Sequence, residues 1–206
     1  EIENHLQNKL TVPESLIKPD ILVIEAKKIL RSQKPDDWLY KGTVRCAGDT
    51  LDIRVAPKNI TRTLLFCDTL IKALRARGHN ISFRNRETYA IVDEHDFKII
   101  FREKMKREVV KDGKWDRSIF QPTGILSFQM VNHPTKEWTD GKLPLEQQLS
   151  KIIAKLELAA REWTLLRMRH KKEEDERKDK ERIIKEFEQR QEKDLADFKE
   201  TLQKAS

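Results

Sequence analysis

The chain has 206 residues, 37% of them charged and 37% hydrophobic, with a net charge of +7 and a pI near 9.3. Its two cysteines and six glycines exclude a disulfide framework and give little support to Gly-rich phosphate loops. No apolar run reaches the roughly 18 residues that a membrane span needs, and no signal peptide is present, so the expected setting is the cytoplasm.

Residues 1–19 read as a lead-in arm interrupted by Pro13 and Pro19, and the start at Glu1 fits a trimmed piece or the back half of a longer protein. Asp20 is a suitable N-cap for a short helix to about Ser32, with Ile21, Ile24 and Ile29 or Leu30 facing inward. Lys34-Pro35-Asp36-Asp37 ends that helix. Thr43–Cys46 and Leu51–Val55 read as a hairpin turning at Gly48-Asp49. A second helix opens near Asn59. Its Ile60, Leu64, Cys67, Ile71 and Leu74 recur at helical spacing, and Gly78 suits the position just past its end.

Strands follow at Asn80–Arg84, Thr88–Val92 and Phe97–Met105, joined by the turns Asn85-Arg86 and Asp93–Asp96. Residues 107–121 read as a polar loop with Gly113 at its tip, Ile125–Val131 as a strand and Asn132–Gly141 as a loop. A long helix begins at Pro144, with Leu149, Leu156 and Trp163 in one row and Ile152, Ala159 and Leu166 in another.

Residues 171–182, KKEEDERKDKER, are twelve consecutive charges, six of each sign. Nothing there can bury a face, yet Glu173/Arg177, Glu174/Lys178 and Glu176/Lys180 have the acid-then-base order that supports an exposed helix. The expected fold class is α+β: a mostly antiparallel sheet of about five or six strands with one packed helix, followed by a long charged C-terminal helix for which a coiled coil is one reading. The expected division is an N-terminal arm and short helix at 1–42, a core domain at 43–168 and a charged helical extension at 169–206.

The excess positive charge lies before the extension. Residues 161–206 hold 14 Lys/Arg and 13 Asp/Glu, leaving 28 and 22 for residues 1–160. A basic domain suits a polyanion, and the candidate phosphate contacts are Arg62, Lys72, Arg75, Arg77, Arg84, Arg86, Lys98, Arg102, Lys104 and Lys106. Helix flank and outer strand face would form one stripe if they lie together. Trp115 and Phe120 in the basic loop, and Trp138 in the next, either stack on bases or cover the core edge. Trp163 is read as packing. The sparse apolar residues Ile183, Phe187, Leu195, Phe198 and Leu202 are the candidate contacts for a protein partner or a second copy.

Asp93-Glu94-His95-Asp96 with Lys98 has the acidic-x-Lys flavour of Mg²⁺-dependent nucleases, but acids and His within one turn are also ordinary turn chemistry. The dispersed histidines have no zinc spacing, and no catalytic residue, metal or cofactor is expected.

The order of Ile24-Glu25-Ala26-Lys27-Lys28, Leu51-Asp52-Ile53-Arg54-Val55-Ala56, Leu70–His79, Pro122-Thr123-Gly124, Trp138–Lys142 and Leu145-Glu146, followed by a charged helical tail, resembles the C-terminal region of a group of uncharacterised bacterial proteins. Those carry an N-terminal segment that looks like a helix-turn-helix, and some sit on mobile genetic elements. The resemblance covers about residues 20–200. It implies a DNA-associated protein only indirectly, through that helix-turn-helix-like segment, which is absent from this sequence, and it supplies no site residues. The leading expectation is therefore a non-enzymatic bacterial protein in DNA-linked regulation or assembly. The alternatives are a protein–protein module without nucleic-acid contact and, third, a metal-dependent nuclease using Asp93, Asp96 and Lys98.

Overall fold

The computed structural model describes residues 10–112, 115–131 and 134–205, without the side chains of Asp112, Asp194 and residues 196–205. Among the described residues the fold is α+β, with a mixed, mostly antiparallel sheet of seven strands and three α-helices. The chain divides into two compact units, Glu1–Ala160 and Arg161–Ser206.

In the first unit, α1 (Ile21–Ser32) begins at Asp20, whose carboxylate accepts from the Leu22 amide at 3.1 Å and so satisfies an otherwise unpaired helix donor. Its Val23, Ala26 and Leu30 are buried, whereas Ile21 and Ile24, expected to face inward, are exposed. The strands β1 (Val44–Cys46) and β2 (Ile53–Val55) form the expected hairpin. The helix α2 (Ile60–Ala76) buries Leu64, Phe66, Cys67, Leu70, Ile71 and Leu74 and closes with Gly78 at φ +82°, a conformation that glycine adopts without strain.

The strands β3 (Asn80–Arg84), β4 (Glu87–Val92) and β5 (His95–Asp112) make the predicted antiparallel meander. Both of its turns hold two residues at positive φ, Asn85 and Arg86, then Asp93 and Glu94. That paired geometry matches the twist of flanking strands. β5 is central. One edge pairs first with β4 and then, in parallel, with β2, and the other pairs with β6 (Trp115–Met130). β7 (Lys136–Thr139) adds to β6.

Two expected loops are instead strands. Residues 107–112 and 115–121 continue β5 and β6 as a two-stranded ribbon, with cross-strand pairs from Met105–Pro122 to Asp112–Trp115. Polar composition suggested a loop, but a ribbon that buries only Ile119 among its described residues does not show the alternation by which a half-buried strand is recognised. Gly113 lies outside the described residues. Part of the second loop is β7, whose Trp138 is buried against Phe128 at 5.8 Å between ring centres.

The core joins Phe66 of α2 to Phe101 and Phe128 of the sheet, at 5.6 and 6.1 Å, under the first turns of α3 (Leu149–Ala205), which bury Leu149, Ile152, Ile153, Leu156, Ala159 and Ala160. Trp163 and Leu166, read as continuing that seam, are 42% and 43% exposed. At the β5–β6 irregularity, one β5 residue (Lys104) lies opposite three on β6 (Thr123, Gly124 and Ile125). The buried Glu103 stabilises it by accepting from the Gly124 amide at 2.6 Å and the Ala56 amide at 2.8 Å.

The second unit is helical throughout its described backbone, from Arg161 to Ala205. Of the three predicted charge pairs, Glu174–Lys178 forms at 2.7 Å, and Lys172–Glu176, Arg177–Glu181 and Asp179–Arg182 stand beside it.

Candidate nucleic-acid interface

Most of the predicted phosphate contacts already face a carboxylate of this chain. Arg62 makes the most carboxylate contacts: its guanidinium makes two forks, to Glu146 at 2.6 and 2.7 Å and to Asp140 at 2.8 and 2.7 Å, tying α2 to the chain after β7. Burial alone would raise the Asp140 carboxyl. The Arg62 guanidinium and the Leu126 and Leu145 amides outweigh it and hold that group below the usual range. Lys72 binds Asp68 at 2.6 Å, Arg75 binds Asp20, and Arg77 meets Glu157 at 3.1 Å.

On the sheet, Arg84 meets Asp96 and covers the Tyr89 ring, Lys98 meets Glu87, Lys104 meets Glu137 at 2.7 Å, and Lys106 approaches Glu108 at 3.8 Å. Arg86 stands exposed in the β3–β4 turn. The helix and strand sets do not merge into one stripe. Phe66 of α2 packs on Phe101, so α2 covers the core face of β5, whereas Lys98, Arg102 and Lys104 alternate to the other face.

That outer face carries a row of arginines only partly foreseen. Arg45 of β1 lies directly opposite Arg54 of β2, and Arg54 lies opposite Arg102 of β5. Like charges at such positions repel. One buried carboxylate serves the row: Asp52 accepts from Arg102 at 2.8 Å and from Arg45 at 3.4 Å. Arg54 lies over the Tyr40 ring, 3.7 Å from its centre. Burial, with Arg102 and Arg45 beside it, pulls its pKa below the ordinary arginine value. Tyr40 stacks in turn on Phe120 of β6 at 5.6 Å. Beside this row opens a cleft of about 470 Å³, lined among others by Lys34, Trp38, Tyr40, Arg45 and Arg54.

The ribbon is the other exposed feature. Between Lys104 and Gln121 the sequence holds six Lys/Arg and three Asp/Glu. Trp115 is 82% exposed, and Val109 and Val110 are also exposed. Arg117 covers one face of the exposed Trp38 ring at 4.0 Å.

Arg45 and Arg54 were missed because a single arginine in a strand reads as a solvated outward residue. Only strand pairing, β2 beside β5 above all, sets three of them in a row. The signal available was the alternation of Arg54 between Ile53 and Val55.

The nuclease trio does not converge on a metal cradle. Asp93 holds the β4–β5 turn, Asp96 faces Arg84 and Lys98 faces Glu87. Among the described residues no group of three or more His, Cys, Asp or Glu is placed to hold a metal ion. The partner candidates Ile183, Phe187 and Leu195 are each more than half exposed, while the side chains of Phe198 and Leu202 lie outside the described residues. Among the described residues no helix is long and apolar enough to cross a membrane.

No family model, curated protein or solved structure matches this chain.

Proposed function

We propose that this is a non-enzymatic nucleic-acid-binding protein with a DNA-linked regulatory or assembly role, and that the β5–β6 ribbon and the open sheet face beside it are its contact surface. One observation carries the reading: a two-stranded ribbon with an 82% exposed tryptophan among Lys106, Arg107, Lys111 and Arg117. Such a ribbon fits the width of a duplex major groove, cations along it neutralise phosphates, and an exposed indole stacks on an unpaired base. The carboxylate pairing of Arg62, Lys72 and Arg75 moves the phosphate-contacting role away from α2 and onto Lys106, the ribbon and Arg54.

Fluorescence anisotropy against labelled duplex DNA and single-stranded RNA at two salt concentrations tests it. The expected result is binding that weakens steeply with salt, with the logarithmic slope reduced by about one per ribbon cation reversed (Lys111→Glu). Trp115→Ala weakens single-strand binding most. No binding at low salt refutes the reading.

A second reading, a protein-interaction module, is favoured by the exposed Ile183, Ile184 and Phe187 on an otherwise charged helix. It predicts an oligomer, seen by light scattering, that is lost on Phe187→Glu.

A further inference from the structure

We propose that the cleft beside the arginine row is a nucleotide site: Arg54 and Arg45 take a 5′-phosphate, and Trp38 takes the base. This rests on the nucleic-acid reading and deepens it, since the nucleotide is either free or the phosphorylated end of a strand.

The charge arrangement comes first. Three arginines stand at paired positions on adjacent strands, whose backbones lie about 5 Å apart, and the Asp52 carboxylate binds the outer two. Asp52 is buried and held from two sides, by Arg102 and by Arg45, and its backbone N–H donates to Thr88. Arg54, in the middle of the row, lies on an aromatic ring. The sheet thus holds a cation between two others, a costly arrangement that a bound dianion relieves. Guanidinium forks match phosphate oxygens in pairs, which favours a phosphate over a diffuse anionic surface.

The shape comes second. A cleft of about 470 Å³ is larger than inorganic phosphate requires and falls within the 300–1,000 Å³ or so typical of small-molecule sites. Its aromatic wall is stiffened from behind. Tyr40 is packed by Phe120 and by Arg54, and its neighbour Trp38 carries Arg117 over one face while 64% of the residue stays exposed. A cation on one face of an indole leaves the other available for a base. Two acids share the lining, Asp36 and Asp37. Asp36 is turned to the chain, accepting from the Trp38 and Leu39 amides at 2.7 and 3.1 Å, and so fixes the loop that presents the indole. Lys34 shares the lining and balances the formal charge of Asp37.

The test uses the full chain at low and near-physiological salt. Titrations with AMP, adenosine and inorganic phosphate are followed by tryptophan fluorescence and calorimetry. They are repeated with a 12-mer single-stranded DNA carrying a 5′-phosphate or a 5′-hydroxyl. AMP is expected to bind and quench fluorescence, adenosine to bind far more weakly, and phosphate to bind without quenching. Arg54→Gln should weaken AMP by at least about tenfold, Arg54→Lys by less, and Trp38→Ala should abolish the quench. Circular dichroism melts show whether each variant is folded, and the exposed Trp38→Ala keeps the test open if Arg54→Gln is not.

Tighter binding of the phosphorylated 12-mer assigns the site to strand ends, and equal binding of the two 12-mers alongside AMP binding assigns it to free nucleotide. If AMP and adenosine behave alike, or Arg54→Gln and Trp38→Ala both bind as the parent does, the site is refuted. The nucleic-acid reading then survives where the 12-mers still bind, and both fall where nothing binds at low salt.

Discussion

Replacing Arg62 with Met removes the side chain that joins α2 to the segment after β7. Four N–H···O contacts between 2.6 and 2.8 Å are lost, and Asp140 and Glu146, with side chains 17% and 22% exposed, are left without their cation. Breaking a fully buried pair costs about 3–5 kcal/mol and an exposed pair about 0–1 kcal/mol. Arg62 is 35% exposed, so its rim is solvated, and the structure places the loss at about 2–3 kcal/mol. For a unit of this size that lowers Tm by roughly 4–12 °C. Urea denaturation followed by circular dichroism measures it. The pH dependence follows from Asp140, whose pKa is depressed in the folded state, so that its stabilisation is complete above the unfolded value of about 3.9 and disappears as pH falls through the folded one. The gap between parent and variant is therefore constant above about pH 5 and narrows below about pH 4. A loss under about 0.5 kcal/mol, or a gap that does not narrow in acid, refutes the assignment of this cluster as an ion-paired clamp.

Three further outcomes are expected. Burial pushes the Cys46 thiol up to about 12 and raises Cys67 well above the ordinary range, so a thiol reagent should find no fast-reacting cysteine in the native protein and two after denaturation. Asp20→Ala removes the α1 cap and the partner of Arg75 and should cost about 1–2 kcal/mol by urea denaturation, with no effect on nucleic-acid affinity. Glu103→Ala leaves the Ala56 and Gly124 amides without their acceptor and should cost about 3 kcal/mol, with Glu103→Gln milder; a loss below about 1 kcal/mol would count against its role in holding the β6 irregularity.

Local signals read well where local physics decides the outcome. The Asp20 cap, the α2 stripe ended by Gly78, and the two turns of the meander each depend on residues within a few positions of one another, and each forms as expected. The ribbon was missed because its strands bury little, and burial is what writes alternation into a strand. The charge set was legible only as a composition. Which cations stay available depends on which carboxylates approach them: Asp140 and Glu146 reach Arg62 across 78 and 84 positions, and Asp52 reaches Arg102 across 50.

The sequence by itself determined the α+β class, most strand and helix positions and the helical charged tail, because periodicity, capping and turn chemistry are short-range properties. Tertiary structure alone decided that β2 runs parallel beside β5, that α2 and the cationic strand face lie on opposite sides of the sheet, and that Arg45, Arg54 and Arg102 stand in one row, the first two lining an aromatic cleft. Those are relations between residues up to 57 positions apart, and chain closure and core burial settle them where no local preference can.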